Sequence, residues 1–133
     1  MSRILTVDDS KWVCQMVSQT LKAEGHHVSH AEDGRLGMAV AKNQSFDLVL
    51  TDIHMPNMNG LDLVKNLRSL SHYETVPILC LTMETSRYIR DEAKALGANG
   101  WLVKPFLPEQ LVEVVSQFLT IGPPPPSHRY AWL

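Results

Sequence analysis

Five short apolar runs alternate along the chain with five stretches of helical spacing, and no other feature restricts the possible folds as strongly. The runs cover residues 4–7, 27–31, 46–51, 76–82 and 100–103 of the 133 residues, and the second run is weaker and alternates like an edge strand. A nearly continuous apolar run such as Leu48-Val49-Leu50 is typical of a strand that is covered on both faces. The runs therefore predict the strands of one parallel sheet.

The stretches that follow the runs place apolar residues three and four positions apart, which predicts amphipathic helices. The predicted inward faces are Val13, Met16, Val17, Thr20 and Leu21; Leu36, Ala39 and Val40; Leu63, Val64, Leu67 and Leu70; Ile89, Ala93 and Leu96; and Leu111, Val114, Val115 and Phe118. Ser10, Asp33 and Ser86 are predicted N-caps, and Gly25 and Gly97 are predicted to end helices. Strict alternation of strand and helix predicts an α/β fold, a doubly wound five-stranded parallel sheet with five helices and right-handed crossovers.

The composition changes after Ile121, where a glycine and four consecutive prolines begin the segment 122–133. Four prolines in a row favour an extended polyproline segment over a helix. Residues 1–121 are therefore predicted to form one domain. Residues 122–133 are predicted to be a proline-rich tail that is disordered or artificially added, with a partner-binding tail or the remains of a linker as alternatives.

Charge and hydrophobicity exclude two classes of partner. The formal net charge is −2, so no basic surface for nucleic acid or for a membrane is expected. The apolar runs are far shorter than the ~20 residues that cross a bilayer, and no secretory signal follows Met1. Cys14 and Cys80 lie among apolar neighbours, which is typical of reduced, buried thiols in a cytoplasmic protein.

Polar residues follow four of the predicted strands at the point where each strand ends. These residues are Asp8 and Asp9, Asp52, Thr82 and Lys104. In a doubly wound sheet the functional crevice lies beyond these carboxyl ends, so the side chains are expected to converge. Two like charges ~4 Å apart repel by roughly 4 kcal/mol at an effective dielectric constant near 20. The cluster therefore calls for Lys104 or a bound cation, and an oxygen-only ligand set favours Mg²⁺.

Each of these residues also has an ordinary structural explanation. Asp8 and Asp9 would suit the N-terminus of the helix that follows them. Asp52 could be a turn residue, Thr82 a plain strand end and Lys104 a solvated charge. Four strand ends with complementary chemistry make one shared site the better interpretation.

The chain resembles the response-regulator receiver family. The resemblance rests on residues 7–10 (VDDS), 50–60 (LTDIHMPNMNG), 81–82 (LT) and 104–106 (KPF), and runs in order from Ser2 to about Thr120. Residues 8–11 (DDSK), 15–17 (QMV), 97–106 (GANGWLVKPF) and 108–111 (PEQL) are similar to the stand-alone chemotaxis (CheY-like) regulators. The family implies a flavodoxin-like strand order, 2-1-3-4-5.

The resemblance also implies roles for the residues at the strand ends. Asp52 would be the phosphoacceptor for a chemotaxis-type sensor histidine kinase, and Lys104 and Thr82 would contact the phosphoryl group. Mg²⁺ would bind Asp9, Asp52, the backbone carbonyl of His54 and, through water, Asp8. The Lys104-Pro105 peptide bond is expected to be cis. His54, Glu84 and Met83 are candidates for setting the lifetime of the phosphoryl group, and Met83 is bulkier than the residue usual in the family.

The implied output is a change of surface. Trp101, three residues before Lys104, matches the family's switch aromatic, although it could simply pack on the fourth helix. The candidate partner surface on the fourth helix, fifth strand and fifth helix comprises Trp101, Tyr88, Asp91, Lys94, Val103 and Gln117.

Several functions remain open at this point. The first is a cytoplasmic, monomeric chemotaxis regulator that binds a flagellar motor switch protein or a phosphatase when phosphorylated; a phosphate sink and a regulator of pili or another pathway are variants. The second is a phosphatase with an aspartyl-phosphate intermediate, which would usually carry its nucleophile on the first strand. A flavin-binding protein would need a phosphate-cradling loop after the first strand, which this sequence lacks.

Overall fold

The computed structural model describes residues 1–121, and within them five strands and five helices alternate as the sequence predicts. The elements are β1 (Arg3–Val7), α1 (Lys11–Ala23), β2 (His27–Ala31), α2 (Gly34–Asn43), β3 (Leu48–Thr51), α3 (Gly60–Arg68), β4 (Ile78–Thr82), α4 (Arg87–Leu96), β5 (Gly100–Val103) and α5 (Pro108–Ile121), with a 3-10 turn over Ser71–Tyr73. The predicted tail, 122–133, lies outside the described residues.

All strand pairs are parallel, and the order is β2-β1-β3-β4-β5. The predicted fold class and strand order are confirmed. The chain runs outward from β1 to β2 and then crosses to β3 on the other side of β1, so the order reverses between β1 and β3. In this architecture a ligand binds at that reversal, beyond the carboxyl ends of the two strands.

Both faces of the sheet are buried, which explains the continuous apolar runs. On one face, side chains such as Ile4 and Leu50 pack against α1 and α5, through Val17 and Phe118 among others. On the other face a second cluster joins the sheet to α2, α3 and α4, and Trp101 belongs to it. Within residues 1–121, no helix is both long and apolar enough to cross a membrane.

Strands β3 and β4 begin two residues later than predicted, at Leu48 and Ile78. Pro77 has no N–H to donate to the sheet, although its carbonyl accepts a hydrogen bond from the Val49 N–H (2.9 Å). Phe46 is buried in the core without being part of the strand. Both predicted runs were too long because apolar residues continue beyond the residues that pair in the sheet.

The predicted inward face of α2 is wrong for Leu36 and Ala39, both of which are exposed. The helix instead buries Gly34, Gly37, Met38 and Ala41. A Cβ on Gly37 would lie 3.0 Å from Val7 Cγ2, so the missing side chain is what allows α2 to approach β1. Two of the four buried positions of α2 are glycines, and glycine does not stand out in a pattern of apolar side chains.

The predicted N-caps are confirmed, since the side chains of Ser10, Asp33 and Ser86 accept hydrogen bonds from N–H groups in the first turns of α1, α2 and α4. Gly97 ends α4 with φ of 116°. Gly25, with φ of 94°, follows the Glu24 that caps α1. The thiols of Cys14 and Cys80 are free and buried, and burial raises the pKa of Cys14 to about 11 and that of Cys80 to about 12.

Arg68 holds together the segments at the amino-terminal ends of the strands, on the opposite side of the sheet from the predicted site. Its guanidinium donates to the carbonyls of Tyr73 (2.6 Å), Val76 (2.7 Å) and Gly97 (2.7 Å). It also donates to Asn99 Oδ1 (2.8 Å), which accepts the Ile78 N–H (2.9 Å) as well. The ends of α3 and α4 and the starts of β4 and β5 are therefore held together by one side chain.

Candidate functional site

Three carboxylates meet at the carboxyl ends of β1 and β3. One oxygen from each of Asp8, Asp9 and Asp52 lies within 4.8 Å of the other two. Asp8 is buried, Asp9 is exposed and Asp52 is partly buried. The cluster therefore opens to solvent on the side of Asp9.

Backbone pairing brings these residues together. Val7 lies opposite Thr51 in the parallel register, so the residue after each of them, Asp8 or Asp52, leaves the sheet at the same level. The Asp52 N–H donates to the Val7 carbonyl (2.9 Å) and extends the ladder by one bond. Two further N–H groups orient the carboxylates: Ser10 N–H donates to Asp8 Oδ1 (2.9 Å), and Ile53 N–H donates to Asp52 Oδ1 (2.6 Å).

The ammonium of Lys104 lies between two of the carboxylates. Its Nζ is 2.5 Å from Asp8 Oδ2 and 2.9 Å from Asp52 Oδ2, and the Lys104-Pro105 bond is cis as expected. Burial by itself would lower the pKa of Lys104, but the hydrogen bonds that its ammonium donates to Asp8 and Asp52 outweigh burial and raise that pKa. Lys104 is therefore fully charged, and it offsets the repulsion between the two carboxylates.

One lysine does not balance three carboxylates. Burial raises the pKa of Asp8 despite the opposing hydrogen bond from Lys104, so the charged form of Asp8 is less favoured here than it would be in water. Carboxylate oxygens at an opening toward solvent are the donors that Mg²⁺ prefers, because this ion binds one or two carboxylates and keeps several waters. The donor set and the uncompensated charge fit a divalent hard cation.

The loops after β3 and β4 are joined by a pair of side chains. His54 Nε2 lies 2.7 Å from Glu84 Oε1, and Glu84 Oε2 accepts the Ser86 N–H (2.8 Å). The hydrogen bond with His54 lowers the pKa of Glu84. The Glu84 N–H donates to Thr82 Oγ1 (3.1 Å), and Thr82 is buried. Thr82, Glu84 and His54 thus form one hydrogen-bonded group.

Gly60 sets the shape of the loop that carries Asp52 and His54. A Cβ on Gly60 would collide with the carbonyl oxygen of Asp52, and the Gly60 N–H donates to the Ile53 carbonyl (2.8 Å). Asn57 adopts φ of 67°, a left-handed conformation that asparagine tolerates better than most residues. In the sequence, the Pro56-Asn57 pair and the glycine that follows are turn signals by which this loop can be identified.

Four of the six residues that were predicted to form the partner surface are exposed. Tyr88, Asp91, Lys94 and Val103 are exposed, whereas Gln117 is half-buried. Trp101 is buried, with 8% of its surface exposed, in the cluster that joins the sheet to α2, α3 and α4. Met83, by contrast, is 76% exposed at the start of the loop after β4.

Comparison with known proteins gives a consistent result. Residues 4–116 match the family described as response regulator receiver domain. A chemotaxis protein of Vibrio cholerae serotype O1, CheY-3, is 38% identical over 112 residues, which cover 84% of this chain and 86% of that protein. A CheY homolog of Campylobacter jejuni is 37% identical over 122 residues, 90% of this chain and 94% of the other.

A solved structure shows the same likeness in three dimensions. The chemotaxis protein CheY4 of Vibrio cholerae superposes with a TM-score of 0.85 at 47% sequence identity, covering 88% of this chain and 98% of that one.

Removing the Lys104 charge tests the balance described above. We expect Lys104→Met to lower the free energy of unfolding in EDTA at pH 7 by about 2–4 kcal/mol, because the buried carboxylate of Asp8 and the partly buried one of Asp52 lose their partner. Urea titration followed by circular dichroism measures the loss, and added Mg²⁺ should recover part of it. Lys65→Met removes an exposed lysine from α3 and should have little effect. Equal stability of the two variants would contradict the assigned balance.

Proposed function

This chain belongs to the response regulator receiver domain family, and we propose that it accepts a phosphoryl group on Asp52 from a phosphohistidine of a sensor histidine kinase. The observation that carries the proposal is the cluster of Asp8, Asp9 and Asp52 with the Lys104 ammonium bonded to two of its members. Such domains are signalling modules rather than enzymes, so the phosphorylated chain would act by binding a partner.

The proposed transfer uses groups that already lie at the strand ends. A carboxylate oxygen of Asp52 attacks the phosphorus, the bond from phosphorus to the kinase histidine breaks, and its electron pair returns to the imidazole. Lys104, a compact charge on a flexible stem, would pass from Asp52 to a phosphoryl oxygen. Because Thr82 Oγ1 accepts the Glu84 N–H, its own hydrogen is available to donate to another phosphoryl oxygen.

We propose that Mg²⁺ binds to Asp9, Asp52 and the backbone carbonyl of His54, with Asp8 acting through water. When bound, the ion would neutralise the charge that the phosphoryl group adds to an already acidic site. The exposure of Asp9 supports a direct contact with a hydrated ion, whereas the burial of Asp8 and its bond to Lys104 support an indirect one.

Intact mass after incubation with acetyl phosphate and Mg²⁺ tests the chemistry. We expect one added phosphoryl group on the wild type and none on Asp52→Asn, because the amide is not a nucleophile for phosphorus. Asp62→Asn, an exposed aspartate in the first turn of α3, is the matched control and should be phosphorylated like the wild type. A phosphoryl group on Asp52→Asn, or none on the folded wild type, would refute the assignment.

We further propose that Met83, His54 and Glu84 set how fast the phosphoryl group arrives and leaves. The bridge between His54 and Glu84 spans the two loops that flank Asp52, on the expected path of a hydrolytic water. Met83 follows Thr82 directly and would narrow the approach of a small phosphodonor.

Two rates from one time course test these roles. We expect Met83→Ala to speed phosphorylation by acetyl phosphate and His54→Ala to speed loss of the phosphoryl group, each by about threefold, which corresponds to ~0.7 kcal/mol of barrier. Mass spectrometry during addition and after removal of acetyl phosphate gives both rates. His72→Ala, at an exposed histidine of the 3-10 turn, is the control. Unchanged rates would remove these residues from the proposal.

The proposed output is a change at α4, β5 and α5. Thr82 would move toward the phosphoryl group and vacate space into which Trp101 could rotate more deeply, which would alter the surface around it. Tyr88, Asp91, Lys94 and Val103 are exposed and available to a partner, with Gln117 beside them. Local charge at one end of a two-state element, read as a surface change elsewhere, is the usual logic of such switches.

The likeness to chemotaxis proteins supports a motor switch protein or a phosphatase as the partner of the phosphorylated chain. We propose that the chain works as a monomer in the cytoplasm, where its buried thiols Cys14 and Cys80 stay reduced.

Binding to a peptide from a flagellar motor switch protein tests this output. We expect beryllofluoride, which mimics the phosphoryl group, to tighten binding, and Tyr88→Ala to weaken the tightened form about tenfold, as truncation of an aromatic hot spot does. Trp12→Ala removes an aromatic of similar exposure from α1 and should have no effect. Isothermal titration gives the affinities. No binding by the activated wild type would favour a phosphate sink or another pathway.

A further inference from the structure

The loop between β3 and α3 is fastened at its tip to the start of α2. Asp33 is buried, with 6% of its surface exposed, and uses its two carboxylate oxygens for different partners. Oδ1 accepts the Leu36 N–H (2.9 Å) and caps α2, whereas Oδ2 accepts the side-chain amide of Asn57 (2.8 Å). Asp33 therefore links a helix start to a loop 24 residues further along the chain.

A backbone contact reinforces this link. The Gly34 N–H donates to the Met58 carbonyl (3.0 Å), and a Cβ on Gly34 would lie 2.5 Å from the Met58 oxygen. The start of α2 and the loop tip thus touch through main chain. Asn57 needs no strain to take part, since its left-handed conformation is one that asparagine adopts readily.

The base of the same loop is fastened independently. The Ile53 N–H donates to Asp52 Oδ1, and the Gly60 N–H donates back to the Ile53 carbonyl. The backbone of His54 lies between the base and the tip. The stretch of backbone that contains His54 is therefore held on one side by the contacts at Ile53 and on the other by the bond between Asp33 and Asn57.

We propose that Asp33 and Asn57 are positioning residues that aim the His54 backbone carbonyl at the cation. The inference rests on the proposed function, because it concerns the Mg²⁺ site described there. Neither residue belongs to the acidic cluster of Asp8, Asp9 and Asp52. Partners that orient ligands from outside the coordination sphere commonly change metal affinity 10–100-fold when removed. The bond should thus affect how tightly Mg²⁺ binds, and hardly affect the reactivity of Asp52 once the ion is bound.

Two substitutions cut this bond from opposite sides and keep the other role of each residue. Asp33→Ser retains a hydroxyl that caps α2 but removes the oxygen that reaches Asn57. Asn57→Gly retains the left-handed conformation but removes the amide. If both residues act through their shared bond, the double variant should be no worse than the more affected single variant.

Isothermal titration of Mg²⁺ into the unphosphorylated protein is the first measurement. We expect Asp33→Ser and Asn57→Gly each to weaken binding about tenfold. The second measurement is the rate of phosphorylation by acetyl phosphate as a function of Mg²⁺ concentration. The half-saturating concentration should rise by the same factor, while the rate at saturating Mg²⁺ stays within twofold of the wild type.

Arg68→Lys separates positioning from general stability. This variant loses hydrogen bonds at the amino-terminal ends of the strands, far from the acidic cluster. Its Tm should therefore fall without a change in Mg²⁺ affinity. Two outcomes would overturn this inference alone. One is that the wild type binds Mg²⁺ and both single variants, although folded, bind it with the same affinity. The other is that the losses of affinity add up in the double variant. A wild type that binds no Mg²⁺ would overturn the proposed function and the inference with it.

Discussion

The parallel pairing of β1 with β3 fixes the positions of Asp8 and Asp52, the two carboxylates on which the rest of the site depends. Val7 lies opposite Thr51, so Asp8 and Asp52 leave the sheet side by side, and the reversal of strand order at this point leaves room above them. A register shift of one residue would turn one of these carboxylates toward the other face of the sheet. The acidic cluster is thus a consequence of strand register, and register is held by the buried apolar side chains on both faces of the sheet.

The cluster is costly, and the surrounding structure offsets that cost only in part. Lys104 pairs with Asp8 and Asp52, while backbone N–H groups orient both carboxylates. Burial nevertheless raises the pKa of Asp8. Because the three carboxylates carry more negative charge than Lys104 offsets, an added cation or phosphoryl group would change the net charge of the site and the forces on the side chains around it. The connection from Thr82 through Glu84 to His54 and to the start of α4 offers a physical route by which such a change could reach the surface.

The two ends of the strands are held in different ways. At the amino-terminal ends, the guanidinium of Arg68 donates hydrogen bonds to carbonyls from three segments and fixes them. At the carboxyl-terminal ends of the strands, the loops after β3 and β4 are joined by one side-chain pair, His54 with Glu84, whereas the bond between Asp33 and Asn57 is reinforced by the main chain of Gly34 and Met58. Because a single hydrogen bond contributes only about 1 kcal/mol, the link between His54 and Glu84 is weaker than the set of bonds around Arg68.

The sequence by itself determined the elements, their order and the residues that gather at the strand ends, because hydrophobic period and strand polarity are local properties of the chain. It also identified Ser10, Asp33 and Ser86 as caps. It did not reveal that α2 packs through Gly37, nor that the second oxygen of Asp33 holds Asn57. Those features depend on which segments meet across the fold. A glycine that allows close approach, or a cap with a second partner, has no periodic signal, so only the tertiary structure decided them.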